Sequence, residues 1–398
     1  MKKKWMYVLL LILVVNVISG CWSRKELNKL AIVVGIGIDK QEGQYLISAQ
    51  AVNPGEIGEK GHGEAPVTTY KIQAPTTSEA LRKITTISPR RLYMSHLRVL
   101  IIGEDIAKQG MQDILDYFQR SYEFRPDFYV LVAKNHKAKD ILSIFTNLER
   151  IPANKIFSSI DTSFKFWAPT TVTYLDEFIK DMVNPGKDAV LPGIQLLGDE
   201  KKGKMKLKVE IIDSPARLFN SSIAVFKKDK LVGWLNEQES KGYNYITDNV
   251  HMTAGHVELP KGGKAVVEVI RSKSTIKAIV KKGKPQIQVK ITLEGNVGEV
   301  EGSINFLEPK SVQEVEKATE QKVKTKTEQA INKAQKQLKS DIFGFGNAIN
   351  GEYPKVWESL LKDWDKHFAD LPVTVMVDAK LRHIGRINNP VIEELKKK

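Results

Sequence analysis

Val312, Val315, Thr319, Val323, Ala330, Ala334, Leu338 and Ile342 recur at steps of three, four or seven in a segment otherwise rich in Lys, Glu and Gln. That spacing predicts one helix over Ser311–Ile342 with a single line of small and apolar side chains. Such a line must be covered, either by a second helix in a coiled coil or by a sheet of the same domain. The sheet is the preferred cover. Ala265–Ile270, Thr275–Val280 and Gln286–Leu293 read as alternating strands, with Ile287, Val289, Ile291 and Leu293 on one face. Val373, Val375, Val377, Ala379 and Leu381 alternate in a last strand. Gly344-Phe345-Gly346 is expected to stop the long helix. Pro354–Phe368 is expected to form another, with Val356, Trp357, Leu360, Leu361 and Trp364 as its core face.

The first half has a different texture. Leu30–Asp39 reads as a buried strand and Tyr45–Val52 as its partner across a turn near Gln41–Gly43. Asn53–Pro66 reads as a mobile loop and Thr68–Gln73 as a strand. Ser78 is expected to cap a helix with Ala80, Leu81, Ile84 and Ile87 on one face. Leu97–Ile102 and Phe128–Ala133 are further strands. Helices are expected at about Gly110–Tyr122 (Ile114, Leu115 and Phe118 inward), Asp140–Leu148, Ile156–Phe164 and Val172–Val183. Alternating strands and helices indicate an α/β or α+β layer. The charged, Gly-containing segment Asp199–Lys206 is the preferred domain boundary. Beyond it, Ser222–Lys227 and Leu231–Leu235 flank a hairpin turn at Lys228-Asp229-Lys230, and Glu237–Val250 is expected to hold a short helix.

At the N-terminus, Lys2, Lys3 and Lys4 precede an apolar run from Trp5 to Val15, and Ile18-Ser19-Gly20 leads into Cys21. A charged head, an apolar middle and small residues before a cut site make an export signal over residues 1–20. The run is too short for a comfortable membrane span, which needs about 20 apolar residues. Ile18-Ser19-Gly20-Cys21 also has the form of a lipobox, in which the thiol after the cut receives a diacylglyceryl group. Cys21 is the chain's one cysteine and so has no disulfide partner within it. The competing readings are a free thiol beside an ordinary signal and an uncleaved anchor helix. The formal charge of +14 would suit anionic lipid headgroups or teichoic-type polymers, though solvated lysines on strand edges and helix faces are the plain explanation. Nucleic acid is not expected as a partner, because the basic residues are scattered through mixed-charge segments.

Signals for catalysis are weak. Cys21 is committed to lipid. His251 and His256 are five apart, which is not the spacing that places two imidazoles on one helical face. Gly35-Ile36-Gly37 looks like half a dinucleotide fingerprint, but the third glycine is missing, so close packing or a bend is the better reading. His383 with Arg386 could hold an anion, and solvated edge residues explain them equally well. No catalytic, cofactor-binding or metal residue is assigned.

Cys21-Trp22-Ser23-Arg24-Lys25-Glu26-Leu27-Asn28, then Leu30-Ala31 and Gly35-Ile36-Gly37-Ile38-Asp39, resembles the start of mature Ger(x)C spore-germination lipoproteins. The similarity continues in order through His96-Leu97-Arg98, Ile102-Gly103-Glu104, Ala107-Lys108-Gln109-Gly110 and Arg120–Arg125. It resumes at Ala224–Gly233, at Asp341-Ile342-Phe343-Gly344-Phe345-Gly346, at Pro354, Trp357 and Trp364, and at Ile384-Gly385. Ser23 stands where an acidic residue is expected. The resemblance implies a C subunit of a nutrient germinant receptor, required for the response to nutrients that trigger germination. It further implies membrane-embedded A and B subunits as partners and a place on the outer face of the spore inner membrane. It provides Cys21 as a functional residue and no catalytic set.

The expected fold class is α+β: a multi-domain body of mixed sheets with helices, ending in a C-terminal antiparallel sheet packed with a long helix. The expected division is a signal at 1–20, an N-terminal α/β-type germination domain at 21–200, a β-rich domain with the long helix at 201–388, and a disordered tail at 389–398. A non-enzymatic, lipid-anchored receptor subunit is the preferred function. A solute-binding lipoprotein of a transporter is the alternative, and would show two similar α/β lobes around a cleft. A wall-polymer hydrolase would need a nucleophile or metal motif.

Overall fold

Two β-sheets organise the chain. A computed structural model describes residues 3–7, 29–56, 65–205, 211–260, 262–302, 304, 306 and 308–383. Cys21, the tether Trp22–Asn28, most of the 53–66 loop, Ile384-Gly385, Arg386 and the 389–398 tail lie outside the described residues.

The first sheet begins with β1 (Leu30–Gln41) and β2 (Gln44–Val52), an antiparallel pair closed by Glu42 and Gly43 at positive φ. Strand β3 (Val67–Ala74) extends this edge, followed by helix α1 (Thr77–Lys83) and the short β4 (Arg91–Tyr93). Next come β5 (Val99–Gly103), α2 (Glu104–Gln109), α3 (Gln112–Arg120), β6 (Tyr129–Ala133), α4 (Ala138–Ile141), α5 (Pro152–Phe166), α6 (Leu175–Met182) and β7 (Val190–Gly198). A helical turn, α7 (Glu200–Gly203), leads to the hairpin β8 (Ala216–Lys227) and β9 (Lys230–Leu235). Strand order is β3-β2-β1-β5-β6-β7-β8-β9, with β4 beside β1.

Strands β1, β5, β6 and β7 run parallel, and β5 and β6 are buried at every residue. A parallel strand covered on both faces needs no polar side, which is why these segments are continuous apolar runs. Leu100, Ile102, Val130 and Val132 face a core shared with α1, α3 and α6. Ile101, Leu131 and Ala133 face a second core under α4 and α5. The glycine reading holds: a Cβ on Gly35 would lie 2.9 Å from the Ala153 Cβ, and one on Gly37 would lie 3.1 Å from the Ala138 Cβ. Those glycines let α4 and α5 sit directly on β1.

The second sheet is β10 (Thr253–Glu258), β11 (Lys264–Lys281), β12 (Lys284–Glu301) and β13 (Val373–His383), in that order. Helices α8 (Glu237–Ile246), α9 (Pro309–Asn332), α10 (Phe345–Glu352), α11 (Pro354–Leu360) and α12 (Trp364–Ala369) gather on one side. Ile287, Val289, Ile291 and Leu293 are buried beneath them. The long helix uses the expected line, with Val315, Thr319, Val323 and Ala330 inward, and packs on α8 and β13. Glu320 and Glu316 of α9 accept the outward N–H groups of Ala379 and Leu381, at 3.1 and 3.0 Å. The helix thereby covers an edge strand that would otherwise expose free donors. Crossing α8 closely requires Gly242, whose Cβ would lie 2.2 Å from the Lys326 carbonyl oxygen.

Several expectations are corrected. The C-terminal sheet is mixed, because β13 returns through helices and joins β12 in parallel, Ile287 opposite Val373 and Leu293 opposite Ala379. The long helix ends in a π-turn at Lys333–Leu338, and Lys339 takes a left-handed conformation. Gly344 starts the next helix; it does not stop this one. Helix α1 is capped by Thr76, whose hydroxyl accepts from the Glu79 N–H, and Ser78 lies inside it. Ile87 and Leu148 are exposed, so the helical stripes drawn through them stop short. Leu361 is also exposed, in a 3-10 turn that splits the expected Pro354–Phe368 helix. The hairpin β8–β9 belongs to the first sheet, so the Asp199–Lys206 break separates no sheets; the change of sheet falls between Leu235 and Thr253.

Candidate functional site

The loop between the π-turn that ends the long helix and α10 is built around one carboxylate. Asp341 is buried, and its two oxygens accept the backbone N–H groups of Phe343, Gly344, Phe345 and Gly346, at 3.2, 3.0, 3.1 and 2.8 Å. The indole N–H of Trp364 adds a fifth donor at 3.2 Å. These donors include the first N–H groups of α10, which have no partner inside the helix, so Asp341 closes its N-terminus. Gly344 is left-handed there, with φ 78°. Burial pushes the Asp341 carboxyl up to about 7, against the pull of the N–H donors.

Asp341 also joins the two sheets. Its carbonyl oxygen accepts the Asp188 N–H (2.7 Å), and the Asp188 carboxylate accepts from the Asp341 N–H and the Ser340 hydroxyl, each at 2.9 Å. Lys227, at the end of β8, donates to Asp188 at 2.8 Å and also bonds Asp365. Burial raises the Asp188 carboxyl, partly offset by Lys227. Burial alone would lower Lys227, but the two carboxylates outweigh it and hold the ammonium above its ordinary range. Beside this network Gly186 and Gly346 touch back to back: a Cβ on Gly346 would lie 2.7 Å from the Gly186 Cα and 2.7 Å from the Trp357 ring.

The other sequence patches also meet one another. Asp39, buried at the end of β1, accepts from the Ala138 and Lys139 N–H groups at 2.8 and 2.9 Å, while burial raises its carboxyl. Its Oδ1 would lie 2.5 Å from a Cβ on Gly103, so those two patches are in contact. Glu104 accepts from the Asn135 N–H (2.6 Å), the Trp234 indole (3.2 Å) and Lys108 (2.8 Å); burial would raise it, but these donors bring it below the usual value. Asp229 in the β8–β9 turn accepts from the Met111 and Gln112 N–H groups and leaves room only for glycine at Gly110. Each patch is thus half of a joint between segments distant in sequence.

These groups are spent on backbone bonds and ion pairs. Among the described residues no cluster of three or more His, Cys, Asp or Glu is placed to hold a metal ion. His251 lies edge-on to Phe164, and His256 faces Glu258 at 3.9 Å. Lys241 is buried with its ammonium 3.3 Å from the Trp167 ring centroid, and burial holds it down to about 8. Cys21, the one site residue assigned from sequence, lies outside the described residues.

Residues 23–196 match the family described as "Spore germination protein N-terminal domain", and residues 221–385 match "Spore germination B3/ GerAC like, C-terminal". The chain is 31% identical over 406 residues to Spore germination protein KC of Bacillus subtilis (strain 168), covering all of both chains. The chain belongs to the GerAC-like spore germination family. Putative spore germination protein YfkR of the same organism is 27% identical over 94% of this chain and 96% of its own. The crystal structure of the GerBC protein shares the fold, with a TM-score of 0.54 and 17% identity, over 87% of this chain and 96% of that one. The family implied by the Cys21–Asp39 patch and its successors is therefore the family found, and the chain's class is that of the germinant-receptor C subunits. That class associates with other receptor subunits and with the spore membrane. It is not a known enzyme family.

Proposed function

We propose that the protein is a non-enzymatic receptor subunit anchored by lipid on Cys21 to the outer face of the spore inner membrane. There it stands beside the receptor's membrane-embedded A and B subunits and couples or stabilises them in the response to nutrients. The observation behind this reading is the Asp188–Lys227–Asp341 network. It commits the buried Asp341, with Asp188 and Lys227, to bonds that hold the two sheets together, as a scaffold requires. Among the described residues no helix is long and apolar enough to cross a membrane, so attachment by a lipid suits the chain. The two sheets are also unlike each other, one helix-covered on both faces and one of four strands with helices on one side. That pairing does not suit a two-lobed solute-binding protein.

Cys21→Ala is expected to abolish incorporation of a fatty-acid analogue, to make the protein removable from spore membranes by high salt, and to impair germination by nutrients while non-receptor routes stay intact. Labelling at the wild-type level in that variant would overturn the anchor.

A further inference from the structure

From Arg271 to Leu293 the chain contains Arg271, Lys273, Lys277, Lys281, Lys282, Lys284 and Lys290 and no acidic residue. The fold gathers them on one hairpin. Strands β11 and β12 are each 18 residues long, and Lys281, Lys282, Gly283 and Lys284 form an exposed tip. Behind the tip, Ala278, Ile287, Val289 and Ile291 face the helices. Lys273, Thr275 and Lys277 alternate with Ala278's side of β11 and are exposed, with Thr275 opposite Lys290 and Lys277 opposite Gln288. One face of the hairpin is therefore lysine-bearing and open.

The acids that approach from neighbouring elements are already engaged. Asp248 pairs with Lys273 at 2.5 Å, Glu294 pairs with Arg382 at 2.7 Å, and Glu352 accepts the Ala278 N–H at 3.3 Å. Asp378 on β13 stands opposite Thr292, with Lys380 at 3.6 Å. Among the described residues no ion pair engages Lys277, Lys281, Lys282, Lys284 or Lys290. A solvated hairpin needs charge for solubility, but charge of both signs serves that need. An unneutralised run of one sign fits a surface of the opposite sign.

The hairpin is linked to the end of the first sheet where the parallel strands begin. Glu352, which holds Ala278, closes α10, whose other end abuts Gly186 through the Asn347 N–H at 3.2 Å. Gly186 lies just before β7, and β7 runs parallel, through β6 and β5, with β1. Strand β1 starts at Leu30, nine residues after Cys21, and nine extended residues reach at most about 30 Å. We propose that the β11–β12 hairpin is a second membrane contact, its lysine tip and open face docking on the anionic phospholipid headgroups of the bilayer that holds Cys21. This rests on the lipid-anchor reading for its membrane. A second contact would limit rotation of the body about its tether.

The test uses the full mature chain from position 21, with Cys21→Ser so that no lipid contributes. Sedimentation with vesicles containing phosphatidylglycerol should show binding that fails with pure phosphatidylcholine and is lost at high salt. Each lysine near an anionic surface is worth about five-fold in affinity. The triple variant K277E/K281E/K284E should therefore bind at least about 100-fold more weakly. Lys282 is spared because it sits at φ 51° in the turn. A control with the same change of charge elsewhere, K310E/K317E/K362E, should bind nearly as the parent does. Equal binding by the hairpin variant, or equal loss in the control, would overturn the proposal, as would no preference for anionic vesicles. None of these outcomes bears on labelling of Cys21, so the hairpin and the anchor stand or fall separately. Matching thermal melts of the two triple variants would establish that both are folded.

Discussion

Asp341→Ala is expected to destabilise the protein by about 3–5 kcal/mol, the range for removing one member of a buried charged hydrogen-bond network. The substitution strands four backbone N–H groups and the Trp364 indole in a site closed to water. It also opens the start of α10 and loosens the link to Asp188, so both sheets should respond. Chemical denaturation followed by tryptophan fluorescence measures this directly, since Trp357 and Trp364 pack against each other beside the loop. Asp341→Asn keeps the shape and should cost less. The sign of the pH effect also follows. The folded-state pKa, about 7, lies above the unfolded value, so between the two the folded protein holds a proton that the unfolded chain has released. This group's contribution is most favourable in acid and declines as pH rises from the ordinary carboxylate range through 7. Asp341→Asn should flatten that slope.

Gly346→Ala is expected to lose about 2–3 kcal/mol by overpacking, although alanine is the better helix former by about 1 kcal/mol. The new methyl would enter the contact with Gly186 and the Trp357 ring, where neither the backbone nor the indole can yield easily. Gly351, on the same helix, is the internal control. A Cβ there meets nothing within 4 Å, so Gly351→Ala should stabilise by about 0.5–1 kcal/mol. Opposite signs from two Gly→Ala changes on one helix, read by thermal melts, would establish the glycine contact as the tight point between the sheets. Destabilisation of similar size at both positions would contradict it.

The segments read correctly are those whose periodicity is undisturbed, such as the apolar runs of β5 and β6 and the alternation in β12 and β13. Where a second constraint intrudes, the pattern misleads. Strand β7 has no clear strand signature because Pro192 and Gly193 interrupt it. The fold tolerates Pro192 because the pairing with β6 involves only Gly193 and Ile194. Gly193 is needed where the Trp234 ring and the Ser222 hydroxyl approach. Strand β11 reads as two strands because bulges at Val266/Val267 and Val269/Arg271 shift its alternation partway along. Asp140–Leu148 has helical spacing, but only Ala138–Ile141 is helical; the chain then turns and Phe145 bonds the Gly203 carbonyl.

The site was legible in part. The patches that reveal the family could be picked out by resemblance, but not what they do, because each is completed by a partner far away in sequence. Asp39 meets Gly103, Gly110 meets Asp229, and Asp341 meets Asp188. A local signal for Asp341 did exist, an acid followed by Gly-Phe-Gly at a helix start. Its burial and its bond to Asp188 depend on tertiary structure.

The central claim is that this protein works as a receptor subunit among membrane partners. Its most direct test is affinity purification of the native protein from spore inner membranes, with mass spectrometry of what comes with it. Recovery of A- and B-type germinant-receptor subunits is the predicted result. Recovery of transporter ATPase components in their place would contradict the account.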